Sequence, residues 1–341
     1  MRSQEYWTKR FAYLEEQAHR DGVETFNAIS MAYRKAISDI EKEIAAWYTR
    51  YATENKITFN EAKRLLNSRE LAAFRMDVNE YIKKGASGGF EKELEQASVK
   101  FHITRLEALK LQMQMQIDAL AKSTLDSIDD MARRVFADQY YKTLYEVQHG
   151  VGIDFTFMAL DDKKITEVLK KPWAVDGKNF SARIWEDRTK LANVLDTTFT
   201  QGIIRGSHPR KIIKDVAHRM NVSLSNAGRL VMTENKYFQV KAQHEGFKEL
   251  NVKKYEICAT LDLRTSEICQ EMDGQIFKMN EFEVGLTAPP FHPHCRTHIV
   301  PYSEDDELFN FERAARDENG KYTTVPSDMT YKEWKKKFGK Q

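Results

Sequence analysis

The chain has 341 residues, is 41% hydrophobic and 30% charged, and carries a formal net charge of +2; this balance fits two or three folded domains and excludes wholesale disorder. No apolar run approaches the roughly 20 residues that span a bilayer, and the start, MRSQEYWTKRFAYLEEQ, lacks the apolar stretch of a signal peptide. Three cysteines, Cys258, Cys269 and Cys295, are too few and too odd in number for a secreted disulfide framework, which points to a reducing cytoplasm.

All seven prolines lie at or after Pro172. Proline costs about 3 kcal/mol inside a helix, so the first 171 residues are free to form long ones. Phe26, Ile29, Tyr33, Ile37, Ile40, Ile44 and Trp47 make one apolar ridge. Val99, Ile103, Leu106, Met113, Ile117 and Leu120 make a second, with Lys110 interrupting a seam position. Steps of three and four predict amphipathic helices. The GASGG run at 85–89 breaks the pattern between them. These ridges fit either an ordinary helical bundle or an arm that docks on other subunits.

From Pro172 the texture changes. A Pro-Trp step and a DGKN turn lead into helical spacing through Ile184, Leu191, Val194, Leu195 and Phe199. Ser207 or His208 can start the next helix, with Pro209 in its first turn. NVSLSN (221–226) is expected to separate this helix from a longer one running through Thr233 and Glu234. Residues 201–250 hold nine Lys/Arg against four acids. Arg205, Arg210, Lys211, Lys214, Arg219 and Arg229 are therefore candidates for contact with nucleic-acid phosphates. Two helices about a short turn also raise a helix-turn-helix that reads DNA sequence; a merely solvated face is the plain alternative.

KYEICAT predicts a strand, and Asp273-Gly274 a tight turn. A stiff run, PPFHPHCRTHIVPY, follows at 289–302. Cys269, His292 and Cys295 offer three ligands of a tetrahedral zinc site, with Cys258, His294 or His298 as a fourth. The same thiols suit a Cys/His hydrolase, with Asp262 orienting the imidazole or pairing with Arg264. They suit equally well simple packing of small buried side chains. No glycine-rich phosphate loop, nucleophile elbow or HExxH motif occurs. Seven acids then fall within 303–319, and the chain ends on the basic YKEWKKKFGKQ.

LDLRTSEICQEMDGQIF followed by APPFHPHCRT resembles the Mu F-like head morphogenesis domain of tailed-phage minor capsid proteins. Asp262, Arg264, Thr265, Ser266, Cys269, Asp273, Gly274, Pro289, Pro290, His292, Pro293, Cys295 and Arg296 follow that pattern in order, and RLVMTE ending at Glu234 fits its helix pair. The last cysteine of the pattern is Thr297 here. The resemblance covers roughly 172–302.

It implies a predominantly helical α+β protein in which a long helical N-terminal region (1–171) precedes a small mixed module (172–302) and a charged tail (303–341). It also implies a structural virion component rather than an enzyme, inside the head near the portal vertex. The expected role is head morphogenesis, with a possible part in DNA ejection. The expected partners are the portal protein, other head components and, non-specifically, double-stranded DNA, with no membrane anchor and no small-molecule substrate. Assembly would take place in the host cytoplasm. The expected cofactor is one structural zinc or none, and Thr297 argues for none. Glu234, Asp262, Arg264, Thr265, Gly274, Pro290, Pro293 and Arg296 carry over as structural motif residues.

Overall fold

The computed structural model describes residues 4–54, 105–151, 159–174, 176–205, 207–302, 312–316, 322–326, 329 and 331–338. Among the described residues five helices come first: α1 (Gln4–Glu54), α2 (Arg105–Val151), α3 (Asp162–Lys170), α4 (Phe180–Ile204) and α5 (Pro209–Glu249). A small sheet follows, built of β1 (Lys254–Cys258), β2 (Ile276–Lys278) and β3 (His298–Tyr302), with the short helix α6 (Glu267–Met272) between β1 and β2. The hairpin β4 (Glu312–Arg316) and β5 (Tyr322–Pro326) and the helix α7 (Tyr331–Phe338) complete the order. The protein is thus helix-dominated α+β, and among the described residues its strands fall in the C-terminal part.

The chain divides into two compact units that cut across the boundaries expected at 171 and 302. One comprises Ala28–Leu125 and Ser181–Ala227; the other comprises Met1–Asn27, Asp126–Phe180 and Gly228–Gln341. The physical reason is that α1, α2 and α5 are long enough for each to contribute a segment to both.

The first unit is a helical core. Ile29, Tyr33, Ile40, Ile44 and Trp47 of α1 are buried, as are Leu109, Met113, Ile117 and Leu120 of α2, so the spacing of both ridges reports a real inward face. Leu191, Leu195 and Phe199 of α4 and Ile212, Val216 and Met220 of α5 are also buried, and the Trp47 ring meets Phe199 edge-on at 6.2 Å. Polar pairs pin the helices in register. Lys110, the seam interruption, is paired with Asp196, Arg188 with Asp118, and the Tyr33 hydroxyl lies 2.9 Å from Ser223 Oγ. The start of the second ridge (Val99 and Ile103) and the GASGG break lie outside the described residues.

The expected break at NVSLSN is absent: α5 runs unbroken for 41 residues. No glycine or proline forces a turn there; Ser225 Oγ donates to the Asn221 carbonyl within the helix at 3.0 Å, and Ser223 and Asn226, which could compete for the backbone, are drawn to Asp187 instead. Ser223 Oγ donates to Asp187 Oδ2 at 2.6 Å, and Asn226 Nδ2 to Asp187 Oδ1 at 3.3 Å. The helix-turn-helix reading is therefore corrected, since the turn it needs is helix.

In the second unit the sheet has the antiparallel order β2-β1-β3, with Tyr255 opposite Phe277 and Pro301, and Cys258 opposite His298. Tyr255, Ile257, Ile299 and Val300 form one core with Trp7, Phe11 and Leu14 of α1 and Val240 and Phe247 of α5. The first turns of the chain therefore help to cover its C-terminal sheet. Gly150 leaves the space that the Trp7 ring occupies.

The segment expected to be a charged tail contributes structure too. Ala315 bridges to Leu261, and Tyr331 and Trp334 of α7 are buried with Leu261, Ala315 and Val325. The acidic run at 303–311 lies outside the described residues.

Candidate metal centre and signature loops

Beyond β1 the chain needs a turn, a cap and a short helix in quick succession, and LDLRTSEIC supplies them. Ser266 is the N-cap of α6, its hydroxyl accepting from the Cys269 N–H at 3.4 Å, with Glu267 in the first turn. This fixes the Cys269 backbone. Asp273 caps the other end, and Gly274 takes φ +77°, a left-handed conformation that glycine adopts at low cost. The expected Asp-Gly turn therefore joins α6 to β2. Asp273 is buried, and its carboxylate accepts from Ala259 N at 2.8 Å and from Tyr331 N at 2.9 Å.

The proline run approaches from the other side. Pro289 and Pro290 are buried, the Cys295 N–H closes a turn onto the His292 carbonyl at 3.2 Å, and His294 sits at φ +60°. Cys269, His292 and Cys295 converge, with their ligand atoms all within 4.8 Å of one another. The two sulfurs are 3.7 Å apart, and His292 Nε2 is 3.1 Å from Cys269 Sγ. A tetrahedral zinc with Zn–S of about 2.3 Å and Zn–N of about 2.0 Å sets S···S near 3.8 Å and S···N near 3.5 Å. The sulfur pair meets this spacing, and the imidazole needs only a slight outward shift. Its other nitrogen, Nδ1, donates to the Pro293 carbonyl at 2.8 Å, which leaves Nε2 as the free ligand atom, the usual second-layer support of a metal-bound histidine. The donor set therefore fits zinc.

The electrostatics agree with the donor set. Cys295 is held well below the usual thiol range by its bond with Cys269, against burial and with help from His292. Cys269 is pushed up by the same bond and by burial. His292 is raised chiefly by the neighbouring Cys295 sulfur.

None of the three fourth-ligand candidates joins the cluster. Cys258 faces the sheet core, its sulfur 4.0 Å from Thr8 Oγ1. His298 is buried on β3 opposite Cys258, and His294 is exposed. Thr297 is buried beside the cluster, where its side chain acts to lower the Cys269 thiol pKa against the larger raising effects. Thr297 is also where the resembled pattern places its last cysteine.

The remaining motif residues are framework. Asp262 does not pair with the Arg264 side chain, which is exposed, nor does it orient an imidazole. Its carboxylate takes a two-pronged bond from Arg296 at 2.6 and 2.7 Å, the Arg264 N–H at 2.9 Å and the Thr265 hydroxyl at 3.2 Å. Burial pushes Asp262 up, but these donors outweigh it and hold the carboxyl below its ordinary value. With both oxygens occupied, the hydrolase reading loses its orienting acid. Pro293 is exposed, and Glu234 is buried on α5, where it accepts from Trp173 Nε1 at 2.9 Å.

Sequence reasoning missed Tyr331. Its hydroxyl donates to the Asp262 carbonyl at 3.1 Å while its N–H meets Asp273, and the aromatic pair at 331 and 334 within a basic run was the available signal. The basic candidates Arg205, Arg210, Lys211, Lys214, Arg219 and Arg229 are all exposed, the last five along α5.

Comparison with known proteins agrees with this geometry. Residues 193–300 match the family described as Phage Mu protein F like protein. The chain is also 25% identical over 276 residues to the minor head protein GP7 of Bacillus phage SPP1, an alignment covering 76% of this chain and 86% of that relative. No solved structure matches. Residues 193–300 thus resemble the Phage Mu F-like family, and the chain as a whole is similar to a phage minor head protein.

Proposed function

We propose that this minor head protein works inside the head near the portal vertex, where it meets the portal protein and touches packaged double-stranded DNA without reading its sequence. The observation that carries the DNA contact is the solvent face of α5. Arg210, Lys211, Lys214 and Arg219 are exposed there, and among the described residues none of their side chains is tied up in an ion pair or hydrogen bond. Cations left to solvent can exchange their counterions for phosphates, and a face of one continuous helix supplies charge without a recognition turn. A part in genome ejection follows from the same contact, since a salt-sensitive grip releases as the DNA leaves.

In this reading the signature loops are architecture, and the Cys269, His292 and Cys295 cluster takes one structural zinc. Zinc there joins α6 to the proline run, and its binding free energy adds to folding. Thr297 leaves a fourth position that water or the hydroxyl can fill. Replacing it with cysteine, Thr297→Cys, is expected to tighten zinc binding.

Salt-titrated DNA binding tests the DNA contact. Affinity should fall log-linearly with salt, at a slope of about −0.9 per phosphate contacted, and should be equal for unrelated sequences. Joint replacement of Arg210, Lys211, Lys214 and Arg219 by glutamine should flatten the slope. Binding that ignores salt, or survives that replacement unchanged, would remove the DNA contact. Failure to co-purify with portal-bearing procapsids would remove the placement.

A further inference from the structure

The sulfurs of Cys269 and Cys295 form a site in their own right. They come from separate elements 26 residues apart, and both are free thiols buried at 2% and 3% exposure with their sulfurs 3.7 Å apart. A disulfide is about 2.05 Å long, so closure asks only a small approach, on the scale of a side-chain rotation. The third thiol is elsewhere, since Cys258 packs in the sheet core against α1. His292 is half-buried and the next two residues, Pro293 and His294, are exposed, so the pair lies one layer beneath the surface. A water-sized oxidant can reach that depth, where a bulky disulfide reagent cannot.

We propose that Cys269 and Cys295 are a reversible oxidation site, closed by hydrogen peroxide into an intramolecular disulfide. One sulfur attacks the peroxide, forming an S–O bond as the O–O bond breaks; the departing hydroxide takes the thiol proton and leaves as water. The second sulfur attacks the resulting sulfenic acid, forming the S–S bond as the S–O bond breaks, and a second water carries off the remaining proton. Two thiols together lose two electrons and two protons, and the peroxide becomes two waters. The bond joins the same two segments as a bound cation would, and the two states exclude each other because each uses both sulfurs. Only the setting rests on the proposed function. A head protein made in a reducing cytoplasm and carried outside in a virion passes from conditions favouring thiols to conditions favouring the disulfide. The chemistry itself needs no ion.

The test uses the full chain, as purified and after chelation, given a brief excess of hydrogen peroxide, then alkylated, digested and read by mass spectrometry. The expected product is one reducible cross-link between the peptides carrying Cys269 and Cys295, with Cys258 still alkylated. Cys258→Ser should give the same link and Cys295→Ser none; the first variant keeps the test sound if the second fails to fold. Where zinc is bound, its release should track the link. Full alkylation of both thiols in the chelated protein, oxidation stopping at sulfinic acid, or a link to Cys258 would overturn the site. A link formed in protein that never held zinc would sustain it while removing the zinc reading.

Discussion

Ile29, Tyr33, Ile40, Ile44 and Trp47 bury one continuous apolar ridge on α1, whereas the stretch from Ala259 to Thr297 buries mainly small or polar groups. There the inward set is Ala259, Leu261, Cys269, Ala288, Pro289, Pro290 and Cys295, together with Asp262, Thr265, Asp273 and Thr297. Full burial of a large aliphatic or aromatic side chain stabilises by roughly 1.5–3 kcal/mol, so the ridge holds by removing area from water. The signature loops have little area to remove. They hold by directional bonds, namely the Arg296 fork on Asp262, the Asp273 carboxylate between Ala259 and Tyr331, and the thiol–imidazole cluster. A core of the first kind tolerates gradual loss, whereas a network of the second kind fails when one member leaves a partner buried and unsatisfied.

The largest effect is expected where the module borrows apolar area. Trp334 is fully buried on α7, outside the stretch 193–300 that matches the family. Trp334→Ala should cost about 3–5 kcal/mol in chemical denaturation and raise the alkylation rate of Cys269 and Cys295, because α7 also carries the Tyr331 bonds to Asp262 and Asp273. Loss of stability with no change at the thiols would show that α7 and the cluster are independent.

Asp262→Asn comes next, at about 3 kcal/mol, the low end for breaking a buried pair, because Arg296 is partly exposed. The pH dependence has a definite sign. The folded-state pKa of Asp262 is depressed, so its stabilisation is fully present above the ordinary carboxylate range near pH 4 and is lost as pH falls through the lower folded value. The wild-type chain should therefore lose stability more steeply than Asp262→Asn across that acid window. Parallel curves would assign the ion pair no net role.

Ile40→Val should cost only about 1 kcal/mol and leave thiol alkylation untouched, which sharpens the contrast between the two regions. Smallest of all, Lys211→Gln on the solvent face of α5 should change the unfolding free energy by under about 0.5 kcal/mol while reducing the salt slope of DNA binding.

The ridge was legible because apolar spacing reports a helical face directly, and Ser266, Gly274 and the strand at 254–258 were legible because caps, turns and β-rich runs are local chemistry. NVSLSN misled because Ser223 and Asn226 find a partner in Asp187, which only tertiary structure supplies, while Ser225 bonds back to the Asn221 carbonyl inside the helix. Asp262 was matched with the wrong arginine: Arg264 is near in sequence, whereas Arg296 arrives across 34 residues. The part played by residues 312–338 was hidden for the same reason, since a charged composition says nothing of two aromatics that face inward.

The central claim is that the cysteine–histidine signature ties the module together. Elemental analysis of the full chain purified without chelator, paired with its melting temperature before and after chelation, tests it most directly. About one zinc per chain is expected, as for a single structural site, with a lower melting temperature after chelation and no zinc in Cys269→Ser. A metal-free chain whose melting temperature ignores chelator would contradict the claim.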